Sequence, residues 1–422
     1  MTKIRTVGYA SHSFLPPSLT GGAMPGHLTA TGLADDTPSS ARPARGPFEI
    51  STASIVGAEK AGYDGVLCAD ATQSHMPTAA WSTEFSDLME GCPDPNSAFT
   101  MEPVITASAP LTSAIEYIWG PVDCVRRAPI NIAQMLLTLD HATRGRVSIV
   151  LAHGQQNHMR QTGIPRAGTR DKFWDGVQIV KKLTTQSEAF SYRGRVWKFD
   201  RGALALPPYN PESPPGVLIA GGSPESLELC GRFSDGWLDG PPTLDEDDPA
   251  VFAHKVAEIR RHARDAGRDP DSLRIMVQMP VILADDPAVI DELVDHPYVK
   301  WSCLLGASSQ VFRKWGIAHP YDSTGAMNYN YFKDIIPEWV SREEFIDVTR
   351  RMPREAVYRC HFVGTPETVM DRIEPYLAQG ITDVMTFNPG MLAGSKYLAS
   401  CGRASDRFTQ LLRERDVRYP SP

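Results

Sequence analysis

Residues 147–155 read VSIVLAHGQ and residues 216–224 read GVLIAGGSP, and these two segments decide the fold. Each is an apolar run of strand length that ends in glycine and polar residues. An amphipathic helical pattern follows each run, over 170–186 and 224–233. Strand–helix alternation implies parallel strands joined by helical crossovers. In such folds ligands bind at the carboxyl ends of the strands, so both tips are candidate binding positions.

The same alternation extends in both directions along the chain. Pro129 suits the first turn of one helix, and Thr365 followed by Pro366 predicts the start of another. A closed (β/α)8 barrel and an open doubly wound sheet both fit this order. No G-x-G-x-x-G motif follows a strand, which weakens the dinucleotide-binding alternative. The remaining strand-like segments lie at 4–10, 65–70, 115–120, 236–238, 273–283 and 382–387.

Two long segments interrupt the alternation. Residues 11–48 are rich in Pro, Gly, Ser and Thr, which predicts an extended loop. Residues 284–360 contain two His-Pro steps and an aromatic run, and we expect an irregular insertion there. We therefore predict one α/β domain over 1–422, a TIM barrel with long insertions after strand 1 and before the last barrel unit.

Composition narrows the class of function. The chain has 422 residues and a net charge of −8, with no long cluster of Lys and Arg, which argues against a nucleic-acid partner. No apolar run approaches the roughly 20 residues that span a bilayer. The first residues lack an apolar signal segment, so we expect a cytoplasmic protein without a membrane partner. The seven cysteines form no CxxC pair, which predicts reduced thiols and no metal site.

Two titratable residues follow the predicted strand at 65–70. Asp70 ends that strand, and His75 lies five residues further on. In a barrel the residues at this end of a strand project into the site, so Asp70 is a candidate for cofactor binding. His75 is a candidate proton donor because an imidazole titrates near neutrality. A loop carboxylate that caps a turn and a plain surface histidine are the alternatives.

The strand at 147–152 runs directly into His153, Gly154 and Gln155. A buried imidazole needs partners, so a histidine in this position has no easy explanation as a core residue. Glycine allows close approach of a ring system to the backbone. The polar side chains from Gln155 to His158 suit the edge of a flavin-like ring. His153 and Gln155 are therefore candidate catalytic residues, and all four named residues are candidates for cofactor binding.

Two further turns are candidates for cofactor binding. Ala220, Gly221, Gly222 and Ser223 lie between a strand and a helix N-terminus, where free backbone N–H groups and the helix dipole favour an anion such as phosphate. The segment 118–122 runs from a strand into Gly-Pro, which predicts an abrupt change of backbone direction, and a cis peptide is one form it could take. It contributes Pro121 and Val122 to the candidate site.

Several motifs together resemble the bacterial luciferase-like superfamily of flavin- and deazaflavin-dependent oxidoreductases. The segment 138–146 (TLDHATRGR) before the strand at 147–152 is similar to that family's helix end and fourth strand. The motifs at 190–199, 214–224, 234–237 and 364–369 (GTPETV) follow in the family's order. The resemblance covers about 50–390 and implies a (β/α)8 barrel enzyme.

Within that superfamily the chain most resembles the branch that uses coenzyme F420. The resemblance implies that residues near Asp70–His75 and 153–158 face the deazaflavin ring and that 220–223 hold the phosphate of its tail. It also implies a non-proline cis peptide near 121–122. The chain departs from the family in two places. Ala71 stands where many deazaflavin enzymes have His, and Gln155 replaces the glutamate of the sugar-phosphate dehydrogenases.

The leading hypothesis is a cytoplasmic oxidoreductase that transfers a hydride between coenzyme F420 and an alcohol or carbonyl substrate. We expect a small-molecule substrate and a homodimer. The main alternative is a monooxygenase that uses reduced FMN and oxygen on the same scaffold. A flavoprotein that stores its cofactor without turnover is a third possibility, because fold does not determine function.

Overall fold

The computed structural model describes residues 2–10, 47–90, 98–240 and 248–418. The insertion predicted at 11–48 lies almost wholly outside these ranges. In chain order the strands are β1 (Arg5–Ala10), β2 (Gly65–Cys68), β3 (Glu116–Asp123), β4 (Val147–Ala152), β5 (Phe190–Arg193), β6 (Lys198–Gly202), β7 (Gly216–Ala220), β8 (Gly236–Asp239), β9 (Arg274–Leu283), β10 (Phe362–Gly364) and β11 (Asp383–Phe387).

Eight of these strands close into a parallel barrel in the order β1-β2-β3-β4-β7-β8-β9-β11. β11 pairs with β1, and β8 pairs with β9, so the described barrel strands leave no open edge. β5 and β6 form a separate antiparallel hairpin, and β10 extends beside the end of β9. The predicted closed barrel is confirmed, and the open sheet that the sequence also allowed is wrong.

Helices connect the strands and form the outer layer. They are α1 (Pro47–Lys60), α2 (Met101–Ser108), α3 (Pro129–Thr143), α4 (Thr169–Thr185), α5 (Pro224–Phe233), α6 (Pro249–Asp265), α7 (Pro287–Asp295), α8 (Pro297–Gly306), α9 (Ser309–Lys314), α10 (Tyr331–Asp334), α11 (Arg342–Arg351), α12 (Arg354–Cys360), α13 (Pro366–Leu377) and α14 (Ser395–Arg413). Among the described residues, no helix is both long enough and apolar enough to cross a bilayer.

Local sequence signals account for several helix ends. Pro129 occupies the first turn of α3, which ends where Arg144 and Gly145 take positive φ angles of 56° and 82°. The hydroxyl of Thr365 caps α13 by accepting a hydrogen bond from the backbone N–H of Thr368 at 3.4 Å. The predicted helix starts at 129 and 365 are confirmed.

Each of the eight barrel strands contributes one apolar side chain to the interior of the barrel. A second and larger apolar layer fills the space between the strands and the helices. The barrel is therefore a filled core, and ligands have access only at its ends. The interior side chains are Val7, Leu67, Ile118, Val150, Leu218, Leu238, Met276 and Met385.

A charged network occupies the amino-terminal end of the barrel. Glu116 accepts hydrogen bonds from Arg5 at 2.6 Å and from Arg274 at 2.7 Å, and the hydroxyl of Ser148 donates to the same carboxylate at 2.6 Å. Asp383 contacts Nη1 of Arg5 at 3.1 Å and Nη2 of Arg274 at 2.8 Å. The four charged residues are the first residues of β1, β3, β9 and β11, and Ser148 lies near the start of β4. The network therefore joins five strands at the amino-terminal end of the barrel.

Residues 284–360 are mostly helical, so the prediction of an irregular insertion is wrong for this segment. They contain α7 to α12 and enclose a separate apolar cluster around Trp301, Tyr298 and Phe345. The sequence concealed these helices because all six are ten residues or shorter, so each shows only a few turns of apolar spacing. Through this cluster the insertion packs against the loop that follows β2, since Ala80 and Leu88 belong to it.

The six cysteines of the described residues are free and buried, as the sequence predicted. They are Cys68, Cys124, Cys230, Cys303, Cys360 and Cys401, and Cys92 lies outside the described ranges. Within those ranges no group of three or more His, Cys, Asp or Glu side chains is arranged to hold a metal ion.

Candidate active site

Two predicted histidines meet at the carboxyl end of the barrel. His75 lies in the loop after β2 and His158 in the loop after β4, with ring centroids 6.3 Å apart and an interplanar angle of 19°. Tyr331 and Phe332 pack edge-on against His75, with centroid distances of 6.1 and 5.7 Å. The structure thus brings both histidines together with the aromatic segment of the insertion.

The loops after β2 and β4 also hold several buried polar atoms that have no hydrogen-bond partner in the described part of the chain. Gln73 ties the two loops together, because its Nε2 donates to the backbone oxygen of Asn157 at 2.5 Å. Each unpaired buried polar group costs about 1–3 kcal/mol, so these atoms are candidates for pairing with a polar ligand or with ordered water. The atoms are Oε1 of Gln73, Nδ1 of His75, Nε1 of Trp81, Oγ of Ser82, Oε1 of Gln155, and Oδ1 and Nδ2 of Asn157.

Burial sets the protonation state of the two histidines that were predicted to be catalytic. It lowers the pKa of His75 to about 4. Burial also lowers the pKa of His153 to about 4, and the positive charges of Arg166 and Arg170 act in the same direction. Both imidazoles are therefore neutral near pH 7, and each has one nitrogen that accepts and one that donates.

His153 lies apart from the His75 pair, at the boundary between β4 and β7. Its ring packs against Phe173 with a centroid distance of 4.3 Å. A Cβ placed on Gly221 would lie 3.5 Å from Cε1 of His153. His153 therefore belongs with the turn at 220–223, and the β4 loop meets the loop of His75 through Asn157 and His158.

Gly154 has a left-handed backbone and lies in close packing. Its φ is +79°, and a Cβ there would lie 2.3 Å from Cε of Met159 and 3.0 Å from the side chain of Asp123. Met159 and Asp123 fill the space on the Cβ side of this glycine, and its predicted contact with a cofactor stays a prediction. Glycine is required here for the left-handed backbone and for packing.

Asp70 is held in a buried ion network. Arg126 binds one carboxylate oxygen at 2.7 Å, and Arg127 binds the other at 2.8 Å. Arg126 also binds Asp123, and Arg127 also binds Glu102. Burial raises the pKa of Asp70, and the two guanidinium groups oppose that shift. Because both oxygens are engaged, the carboxylate supports the loops beneath the site, and a direct contact with a cofactor stays a prediction.

The turn at 220–223 has the features of an anion site. Ser223 caps α5, and its Oγ accepts a hydrogen bond from the N–H of Ser226 at 3.2 Å. A Cβ on Gly222 would lie 3.4 Å from Nζ of Lys255, which also contacts Asp239 at 3.5 Å. Free N–H groups at a helix N-terminus beside a lysine favour a phosphate. Lys255 comes from α6, so no local motif pointed to it.

Residues 120–122 form an irregular step in β3. The Gly120–Pro121 bond is cis, and the pairing with β4 shifts register between Trp119 and Val122. The abrupt change of backbone direction that was expected from Gly-Pro is confirmed. The resemblance implied a cis peptide bond that does not involve proline, whereas the cis bond observed here precedes Pro121. Val122 is fully buried within the apolar layer, so its side chain faces neighbouring core residues.

A comparison with protein families matches residues 26–383 to the luciferase-like monooxygenase family. The chain belongs to that family. Luciferase-like proteins are oxidoreductases, and the chain is therefore an enzyme of this type. A curated luciferase-like relative is the phthiodiolone/phenolphthiodiolone dimycocerosates ketoreductase of Mycobacterium kansasii, which is 25% identical over 271 residues, or 64% of this chain and 71% of the relative.

Solved luciferase-like structures share the fold. The coenzyme F420-dependent tetrahydromethanopterin reductase of Methanopyrus kandleri has a TM-score of 0.63 and 15% identity, and the match covers 97% of this chain and 98% of that protein. EDTA monooxygenase of Chelativorans sp. BNC1 has a TM-score of 0.61 and 16% identity over 99% of this chain and 96% of that protein. Since a deazaflavin enzyme and a monooxygenase match equally well, the likeness establishes the barrel and leaves the cofactor open.

Proposed function

We propose that the chain is a coenzyme F420-dependent oxidoreductase that transfers a hydride between the deazaflavin and an alcohol or carbonyl substrate. The observation that carries this proposal is the concentration of unpaired buried polar atoms in the loops after β2 and β4. Such a set fits the polar edge of a tricyclic ring, which both donates and accepts hydrogen bonds. The ketoreductase name of the mycobacterial relative supports a carbonyl substrate.

The residues present fit both parts of the proposed cofactor. Gln73, Gln155 and Asn157 would bind the ring edge, since each is an uncharged amide with an unpaired buried atom among the described residues. Backbone N–H groups at 221–223 and Nζ of Lys255 would bind the phosphate of the tail. When bound, coenzyme F420 would supply hydride chemistry that no side chain can supply.

The neutral state of His75 suits proton transfer from the substrate oxygen. In the direction of alcohol oxidation its basic nitrogen would take the hydroxyl proton. Carbonyl reduction is the same step in reverse, so the ring must first take up a proton from solvent, which its pKa of about 4 disfavours near pH 7. The rings of Tyr331 and Phe332 exclude water from one side of the imidazole. His153, which lies beside 220–223, is then a binding residue, and its predicted catalytic role stays a prediction.

The test is a titration of the purified protein with coenzyme F420 and FMN side by side, followed by cofactor fluorescence. We expect submicromolar to micromolar binding of coenzyme F420 and turnover of a simple ketone such as methyl nonyl ketone. Tight binding of reduced FMN with oxygen consumption would instead support the monooxygenase alternative. Binding of neither cofactor would refute the proposal.

The other expectations from the sequence stand as proposals. A homodimer predicts twice the chain mass of 46.4 kDa in light scattering. A cytoplasmic location, and the absence of nucleic-acid and membrane partners, follow from the same charge balance and apolar pattern that the sequence shows.

A further inference from the structure

The backbone of His75 is bound by two side chains of the insertion. The hydroxyl of Tyr331 and the indole Nε1 of Trp301 both donate to its carbonyl oxygen, the latter at 3.3 Å. These donors come from α10 and α8, more than 200 residues away along the chain. The insertion therefore holds the backbone of the loop after β2 at His75, in addition to the contacts that this loop makes with the loop after β4.

Both donors are themselves held rigidly. Trp301 is fully buried, and Tyr331 is 3% exposed. Their rings pack edge-on with centroids 6.4 Å apart, and Trp301 also packs on Phe345 at 5.4 Å. A carbonyl that accepts two hydrogen bonds from such a core has little freedom to rotate.

One nitrogen of the His75 imidazole, Nδ1, lacks a hydrogen-bond partner among the described residues. Tyr331 and Phe332 pack against the ring, yet Nδ1 is buried and has no hydrogen-bond partner among the described residues. The neighbouring loop residues Gln73 and Asn157 also keep unpaired atoms. The hydrogen bonds to its backbone and the aromatic contacts to its ring together fix the orientation of the His75 imidazole beside these unpaired polar atoms.

We propose that Tyr331 and Trp301 are positioning residues, which hold the His75 carbonyl and thereby fix the imidazole in the orientation in which it meets the reacting oxygen of the substrate. This inference rests on the proposed function for its catalytic part. The insertion then contributes to catalysis through His75 without contacting the reacting atoms itself. Misplacing a proton-transfer group by about 1 Å is enough to lower the rate strongly.

The test compares Tyr331→Phe with Tyr298→Phe. Tyr298 is a matched control, because its hydroxyl also donates from the insertion to a backbone carbonyl of the same loop, that of Ala80 at 2.6 Å. In Tyr331→Phe we expect kcat with methyl nonyl ketone to fall about tenfold while KM and the cofactor Kd stay within about twofold. In Tyr298→Phe all three quantities should stay within about twofold of the wild type.

A second readout does not depend on activity. The imidazole resonances of His75 in the cofactor-free protein, assigned with His75→Gln, should shift or broaden in Tyr331→Phe and stay unchanged in Tyr298→Phe. Unchanged resonances, or an equal loss of kcat in both variants, would overturn the positioning role. If Tyr331→Phe fails to fold, Trp301→Phe removes the other donor and is judged by the same readouts.

Failure of the proposed function gives a different pattern. If the wild type binds neither coenzyme F420 nor FMN, the proposed activity is wrong, but the resonances still decide whether Tyr331 holds His75. If the wild type turns over and the resonances of Tyr331→Phe match those of the wild type, the proposed activity stands and the positioning role is wrong.

Discussion

Glu116→Gln removes a charge from the network at the amino-terminal end of the barrel without changing the shape of the side chain. In the wild type two guanidinium groups and the Ser148 hydroxyl surround this carboxylate. Burial opposes ionisation, but the charges of Arg274 and Arg5 outweigh it and lower the pKa of Glu116 from 4.5 to about 2. The substitution leaves Arg5 and Arg274 with Asp383 as their shared acidic partner.

The pKa shift gives the size of the expected effect. The lowering of this pKa from 4.5 to about 2, at about 1.4 kcal/mol per tenfold change in proton affinity, corresponds to about 3 to 4 kcal/mol of folding free energy near pH 7. Because the pKa is lower in the folded state, this stability is complete above about pH 4.5 and is lost as the pH falls toward about 2. Between about pH 7 and about pH 3 the wild type should lose about 2 kcal/mol that the variant does not lose.

The assay is urea unfolding of both proteins at a series of pH values, followed by tryptophan fluorescence. Glu228→Gln is the control, because Glu228 forms an exposed pair with Arg232 one helical turn away, and it should change stability by less than about 0.5 kcal/mol. A loss below about 1 kcal/mol in Glu116→Gln near pH 7 would refute the reasoning. The reasoning would also be refuted if the difference in unfolding free energy between the variant and the wild type stayed constant as the pH falls.

Three further substitutions probe the site. Gly222→Asp places a carboxylate beside Nζ of Lys255, so cofactor affinity should fall at least about tenfold in a fluorescence titration, whereas Gly222→Ala should change it by less than about threefold. Gly154→Ala forces a Cβ into Met159 at φ +79° and should lower the free energy of unfolding by about 2 kcal/mol or more, measured in urea; an unchanged midpoint would contradict the packing role. His75→Gln should lower kcat about 100-fold with cofactor affinity retained, and a kcat near that of the wild type would exclude it as the proton-transfer group.

Much of the barrel could be read from the sequence because its signals are local. Buried parallel strands are short apolar runs, and the caps at Thr365 and Ser223 lie within four residues of the groups that they satisfy. The turn at 220–223 was predicted as an anion site for the same reason, since strand, glycines and helix start are consecutive. The helices of 284–360 were missed because short helices that pack on one another carry weak periodicity.

The role of single residues at the site could not be read in this way. Asp70 and Gly154 follow the expected strands, yet their surroundings are Arg126 and Arg127 for the first and Met159 for the second. The ion pairs of Asp70 join segments that are distant along the chain. The contact of Gly154 with Met159 depends on the left-handed backbone at that glycine. A pattern at one strand end therefore identifies the region of the site but not which atoms remain free there.

The sequence by itself determined the strand–helix order, the positions of the glycine-containing tips and the family. Only the tertiary structure decided that Lys255 stands beside Gly222 and that Tyr331 and Trp301 hold His75, and it confirmed that the barrel is closed. The physical reason is the distance along the chain over which each kind of interaction acts. Hydrophobic periodicity and helix caps act over a few residues, whereas an ion pair or a buried hydrogen bond depends on which distant segments the packed core brings within about 3 Å.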